Sequence, residues 1–202
     1  MKKIIALLSA AMLFAAMLTS CSEGKQDTDG STTPTEAAPE NGGSQDENGG
    51  GSESDDGAAQ KILDAIKEAY GEDYLPNTPI PEELLSGTYG LDPDTYTEIA
   101  AEMPMISANV DTVIIVKAAS GKTGDIKAAL TAYHDRLVNE SLQYPQNVAK
   151  VNAAQVVANR DYVAFIMLGK IDERGNASDS ERAEFAEEQV KIGIDAFNAY
   201  FD

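Results

Sequence analysis

The chain holds one Cys and one His in 202 residues, so most familiar reactive constellations fail at the first count. His134 has no second histidine to complete a two-His metal site, and no Gly-x-Ser-x-Gly elbow offers it a nucleophile. Its chain neighbour Asp135 does not face it at helical spacing. Ser120-Gly121-Lys122-Thr123 lies between a β-rich run and a helical pattern, the setting of a phosphate-binding loop. That loop also needs a glycine five residues before Gly121, and Val116 stands there, so the segment reads as a tight β-to-α turn. A lone cysteine builds neither a disulfide framework nor a Cys/His zinc cage. The expectation is therefore no metal, no cofactor, no nucleotide and no catalytic residue that the sequence can name.

Carboxylates are the abundant alternative. Glu72-Asp73, Glu82-Glu83, Asp92 with Asp94, Asp172-Glu173 and Glu187-Glu188 are all close in the chain. Glycoside hydrolysis needs two carboxyls roughly 5 to 10 Å apart across a cleft, one of them with a raised pKa. With twenty-four acids in residues 59–202, such pairs also arise by chance on a solvated acidic face. An envelope hydrolase with a carboxylate pair stays open as the second reading. Among eight tyrosines, Tyr74, Tyr89 and Tyr144 sit beside Pro or Gly in expected loops. There a ring can stack on sugar or peptide while its hydroxyl hydrogen-bonds, or it can cap the core. These three are the candidate binding residues.

The cysteine carries a different chemistry. Met1-Lys2-Lys3 is a short basic start, and the apolar run from Ile4 to Leu18 is broken only by Ser9. This is a secretory signal layout. The run falls short of the roughly 20 apolar residues that a spanning helix requires. Leu18-Thr19-Ser20-Cys21 resembles the lipobox of bacterial lipoproteins, which implies acylation of the Cys21 sulfur and cleavage before it. Two acyl chains make a stable anchor where one is marginal, since each buried CH₂ contributes about 0.8 kcal/mol. The expected location is the extracytoplasmic face of the cell membrane, with the bilayer engaged through acylated Cys21.

The elements follow from composition and period. The formal net charge is −19, and no stretch after residue 21 is basic, so a nucleic-acid partner lacks its electrostatic footprint. Residues 22–58 hold eight glycines, nine Ser or Thr and ten acids, with no Val, Ile, Leu, Met or aromatic residue. They read as a disordered acidic Gly/Ser linker spanning about 30 to 35 Å as a coil. Residues 59–202 read as a single α+β domain. Ile62, Leu63, Ile66 and Ala69 give a first helix over about 59–70, closed by Gly71. Pro76, Pro79 and Pro81 then impose an extended crossing, with at most a short turn over 82–85. A strand is expected over 96–103, and a buried central strand over 110–118 around Val113-Ile114-Ile115-Val116. Ile126, Leu130, Tyr133 and Leu137 mark a second helix stopped by Pro145. The runs 153–158 and 162–168 flank Asn159-Arg160-Asp161 as a hairpin. Ser178 and Glu181 form a capping-box signature for a last helix with Val190, Ile194, Phe197 and Phe201 on one stripe. The order α-β-β-α-β-β-α predicts an antiparallel sheet of about four strands with helices packed mainly on one face.

Tyr89-Gly90-Leu91-Asp92, the strand over 113–117, Tyr144-Pro145 and the hairpin strand Tyr162-Val163-Ala164-Phe165 together resemble a family of bacterial lipoproteins known only as a domain of unknown function, number four-three-five-eight. The resemblance covers about residues 60–202 and implies a lipobox upstream. It supplies no catalytic residue. Through gene neighbourhood it hints at accessories of envelope acylation systems. The family hairpin often carries glycine, and Asn159-Arg160-Asp161 departs from that. These observations favour a membrane-anchored extracytoplasmic lipoprotein acting as a non-enzymatic binding or accessory module of the cell envelope, with an envelope protein or wall glycan as partner.

Overall fold

In the structure, a computed structural model, residues 57–106 and 108–202 are described. The expected leader, Cys21 and all but the last two residues of the expected linker lie outside them. The described residues belong to one unit, Gly49–Asp202.

Helix α1 (Ala58–Tyr70) buries Ala59, Ile62, Leu63, Ile66 and Tyr70, the one face that the apolar spacing dictates. Gly71, at φ +56°, then turns the chain in a conformation that L side chains resist. The proline-rich crossing yields only the two-residue strand β1 (Thr78–Pro79) and the short helix α2 (Glu82–Gly87). Strands β2 (Tyr96–Met103) and β3 (Thr112–Ala118) follow, then α3 (Thr123–Asn139). A helix the sequence pattern did not suggest, α4 (Val148–Ala153), precedes the hairpin β4 (Gln155–Asn159) and β5 (Tyr162–Met167). The last helix is α5 (Asp179–Ala199), and Ser178 and Glu181 close the capping box at its start. Each caps the other's backbone N–H, which satisfies two donors that have no partner within the helix.

The sheet runs β1-β2-β3-β5-β4, with every pair antiparallel. The α+β class, the antiparallel sheet and the order of the main elements match the sequence expectation, with the two-residue β1 as a fifth strand. The placement of the helices needs correction, because they cover both faces. Side chains alternate along a strand, so Val113, Ile115, Ala164 and Ile166 pack with α1 and α5 on one side. On the other, Ile114, Val116, Val163 and Phe165 pack with α3 and the chain around Leu85 and Tyr89. A central strand with four consecutive buried apolar residues, Val113 to Val116, requires cover on both sides.

α5 is pinned to α1 by one hydroxyl that makes two hydrogen bonds inside this packing. The Tyr70 hydroxyl donates to the Gln189 carbonyl at 2.7 Å and accepts from the Gly193 N–H at 3.1 Å. Gly193 leaves room for that ring: a Cβ there would lie 3.0 Å from the Tyr70 hydroxyl and 2.9 Å from Ile166.

Candidate functional site

The most unusual chemistry in the domain is an ion pair in its interior. Asp111, at the entry to β3, and Lys150, on α4, are 2% and 3% exposed. The Lys150 Nζ donates to Asp111 Oδ1 at 2.9 Å and to Oδ2 at 2.7 Å. The Gly169 N–H, just after β5, donates to Oδ1 at 3.2 Å. Burial pushes the Asp111 carboxyl up, while Lys150 and the Gly169 amide pull it down. Three separate stretches of chain, the connection before β3, α4 and the segment after β5, thus converge on one carboxylate. Asn147 adds a second tie to the same connection, donating from Nδ2 to the Ala108 carbonyl at 3.0 Å. It is buried, and its Oδ1 accepts no hydrogen bond among the described residues.

An apolar cleft of about 330 Å³ opens beside this tied-down connection, lined by Met103, Met105, Val110, Tyr133, Leu137 and Met167. Met105 and its neighbour Ile106 are 77% and 67% exposed. Val138 follows Leu137, and Tyr144 and Val148 flank the Asn147 that bonds to Ala108; all three are exposed. These exposed apolar side chains lie on the connection before β3, at the end of α3 and on the chain leading into α4.

The structure does not gather the three candidate tyrosines. Tyr74 packs against the α1/α5 side of the core, where its hydroxyl donates to Glu102 Oε2 at 2.9 Å and Lys67 stands 5.7 Å from its ring centre. Burial and that carboxylate push its hydroxyl pKa up, so it stays a donor. Tyr89 is 5% exposed on the opposite side of the sheet, its ring centre 4.4 Å from that of Tyr133. It is a core residue and not a loop platform: Gly90, at φ +73°, reverses the chain and turns the ring inward. Tyr144 is exposed three residues before Asn147 and does not line the apolar cleft. Sequence reasoning missed Asp111 and Lys150. The available signal was a charge directly beside a valine, Val110-Asp111 and Lys150-Val151.

The remaining sequence candidates are accounted for locally. His134 shares a 2.7 Å hydrogen bond with the Val151 carbonyl and packs near Phe165. Lys122 pairs with Asp125 at 2.8 Å within the turn into α3. Asp92 accepts from the Asp94 N–H at 3.0 Å as a turn cap. Among the described residues, no three His, Cys, Asp or Glu side chains gather to hold a metal ion, and no helix is long and apolar enough to cross a membrane.

Asp172 accepts two hydrogen bonds from the Arg174 guanidinium, at 2.8 and 2.7 Å, and one from the Arg174 N–H at 3.0 Å. These hold its carboxyl down at about 2. A depressed folded-state value means the contribution is present above the unfolded carboxylate range, near 4, and is lost as pH falls toward the folded value. Carboxyl NMR should show Asp172 titrating at about 2. The Arg174→Gln variant should return it toward 4. An unshifted midpoint in the parent chain would contradict the bidentate geometry.

The described residues form a small α+β domain with a buried ion pair on the α1/α5 side of its sheet and an apolar cleft on the α3 side. Residues 69–168 match the model of a family described as a domain of unknown function, DUF4358. The matched stretch runs from the end of α1 through β5 and includes the whole sheet. No curated protein and no solved structure matches the chain.

Proposed function

We propose that this chain is a membrane-anchored extracytoplasmic lipoprotein whose domain acts as a non-enzymatic binding module of the cell envelope. The observation that carries the binding role is the apolar cleft lined by Met103, Met105, Val110 and Leu137, with Met105 and its neighbour Ile106 exposed. The Asp111–Lys150 pair and Asn147 hold its supporting connection in place. Fixing a loop before a partner arrives removes part of the ordering cost of association. The partner that fits is an envelope protein presenting an apolar segment; the lipobox-like Leu18-Thr19-Ser20-Cys21 supports the anchor. A hydrolytic carboxylate pair is the weaker reading, because Asp172, one of the carboxyls paired in the sequence, is held down by Arg174 where a general acid needs a raised value.

The test is crosslinking from intact membranes with the full chain, comparing the parent with a Met105→Asp/Ile106→Asp double variant. Both positions are exposed, so the fold is expected to survive, and capture of the partner is expected to fall by at least about tenfold, as for loss of an interface anchor. Equal capture by both chains sinks the binding face. Separately, Cys21→Ser should shift the chain from the membrane to the soluble fraction, and unchanged fractionation sinks the anchor.

A further inference from the structure

The two edges of the sheet are treated differently. β1 is two residues long and ends in Pro79, which blunts that edge against further pairing. β4 is five residues long, with no proline and no charged side chain: Gln155-Val156-Val157-Ala158-Asn159. The direction of its hydrogen bonds follows from its neighbour. The Ala118 N–H donates to the Asp161 carbonyl at 2.7 Å, so β5 turns its backbone groups at 163, 165 and 167 toward β3 and those at 162, 164 and 166 toward β4. The β4 residues opposite the latter, Asn159, Val157 and Gln155, bond inward. Val156 and Ala158 therefore point N–H and C=O outward, and these groups make no hydrogen bond among the described residues.

Such an edge is a template for an added strand. Its occupant is selected by what overhangs it. Gln155 shares a cleft of about 560 Å³ with Glu184, Glu187, Glu188, Lys191 and Asp195 of α5. Those α5 positions fall on one stripe at helical spacing. Lys191 is occupied by Asp195 at 2.6 Å, and Glu184, Glu187 and Glu188 have no cation within ion-pair distance among the described residues. Gln155 and Val157 face the α5 side, since they pair with Ile166 and Ala164 of that core. A strand laid along β4 would turn every second side chain toward those carboxylates.

We infer that the outer edge of β4, under the acidic stripe of α5, binds an extended cationic peptide segment of a partner protein by strand addition, with Lys or Arg at alternate positions. Backbone bonds at Val156 and Ala158 supply the pairing, and Glu184, Glu187 and Glu188 supply the preference for positive charge. Pairing of two copies through this edge would bring two such stripes together, which like-charge repulsion opposes. The surface is distinct from the apolar cleft and goes beyond the function proposed there.

The experiment is fluorescence-anisotropy titration of the full chain with a labelled ten-residue Lys-Val alternating peptide, alongside Thr-Val and Glu-Val peptides of equal length. Backbone amide exchange is followed in parallel. The expected result is binding of the Lys-Val peptide alone, with protection gained at Val156 and Ala158. Ala158→Pro removes an outward N–H without touching the bonds to β5, and it should abolish binding while circular dichroism stays unchanged. A Glu184→Gln/Glu187→Gln/Glu188→Gln variant, which leaves the edge intact, should bind about tenfold more weakly, three exposed pairs having been removed. Binding insensitive to both variants, protection elsewhere, equal binding of the Thr-Val peptide, or protection of Val156 in a self-associated chain without peptide would each overturn the inference.

Discussion

Lys150→Met is expected to destabilise the domain by about 3 to 5 kcal/mol, the usual cost of leaving a buried charge without its partner. The side chain is nearly isosteric, so little of this comes from lost packing. What changes is that Asp111, 2% exposed, keeps only backbone donors, the Gly169 amide and its own N–H. The double variant Asp111→Asn/Lys150→Met removes both charges while retaining an acceptor for Gly169, and it should recover most of the loss, since neutral replacements of buried pairs are often near break-even. Urea denaturation of the three chains measures this. The pH dependence supplies an independent sign. Without Lys150, burial holds the Asp111 carboxyl well above its unfolded value near 4. A raised folded-state value means the protonated form folds better, so the penalty grows as pH rises above about 4 and shrinks as pH falls toward it. Lys150→Met should therefore lie closer to the parent at pH 4 than at pH 7. Equal instability of the single and double variants would show that packing, and not charge, governs the site.

The sequence carried the fold wherever one period dominated. α1 is readable because Ile62, Leu63, Ile66 and Tyr70 recur at helical spacing and Gly71 stops them. α5 is readable because its start is written twice, in the Ser178/Glu181 box and in the stripe through Val190 and Phe197. What failed was local in another sense. α4 spans six residues, too few to show a period, and its helicity is fixed by Val151 and Ala153 packing into the core. The two-sided cover of the sheet was implicit in Val113 to Val116, whose four consecutive buried side chains cannot all face one layer. Counting strands and turns did not use that information. At the hairpin turn Arg160 takes φ +54°, the region a glycine would favour. Its guanidinium donates to the Phe201 carbonyl and lies over the Phe201 ring. The departure from glycine therefore brings a contact that ties the chain end to the turn.

The site was less legible because its parts come from distant stretches. Asp111 and Lys150 are 39 residues apart, and neither spacing nor residue type announces a pair across that distance. Tyr89 and Tyr144 look alike in the chain, each beside a turn residue, yet one is 5% and the other 60% exposed. Gly90 folds the first back onto Tyr133, whereas Pro145 starts a turn that leaves the second outside. Reading a tyrosine as platform or core thus depends on the direction of the next turn, which is a property of the tertiary structure. The acidic stripe of α5 was visible as Glu187-Glu188, but its relation to a strand edge appears only when β4 lies beneath it.

Gly169→Ala carries the second large expected effect, about 3 kcal/mol, and it tests whether the parts of the domain are coupled as the contacts imply. Gly169 adopts φ +113°, which L side chains rarely tolerate, and an added Cβ would lie 2.5 Å from the Cβ of Gln189. That neighbour is the root of its side chain, so relief requires α5 itself to shift. α5 resists, because the Gln189 carbonyl and the Gly193 N–H are both bonded to the Tyr70 hydroxyl. The strain must then fall on the other side, where the Gly169 N–H meets Asp111. Thermal denaturation should show the loss, and Gly87→Ala, where nothing lies within 4 Å, should leave stability unchanged or raise it by a few tenths of a kcal/mol. In the Asp111→Asn/Lys150→Met background the cost of Gly169→Ala should be smaller, because the carboxylate it deprives of a donor is gone. Strict additivity of the two sets would mean that the clash with α5 accounts for the whole effect and that the Gly169 amide adds nothing to the ion pair.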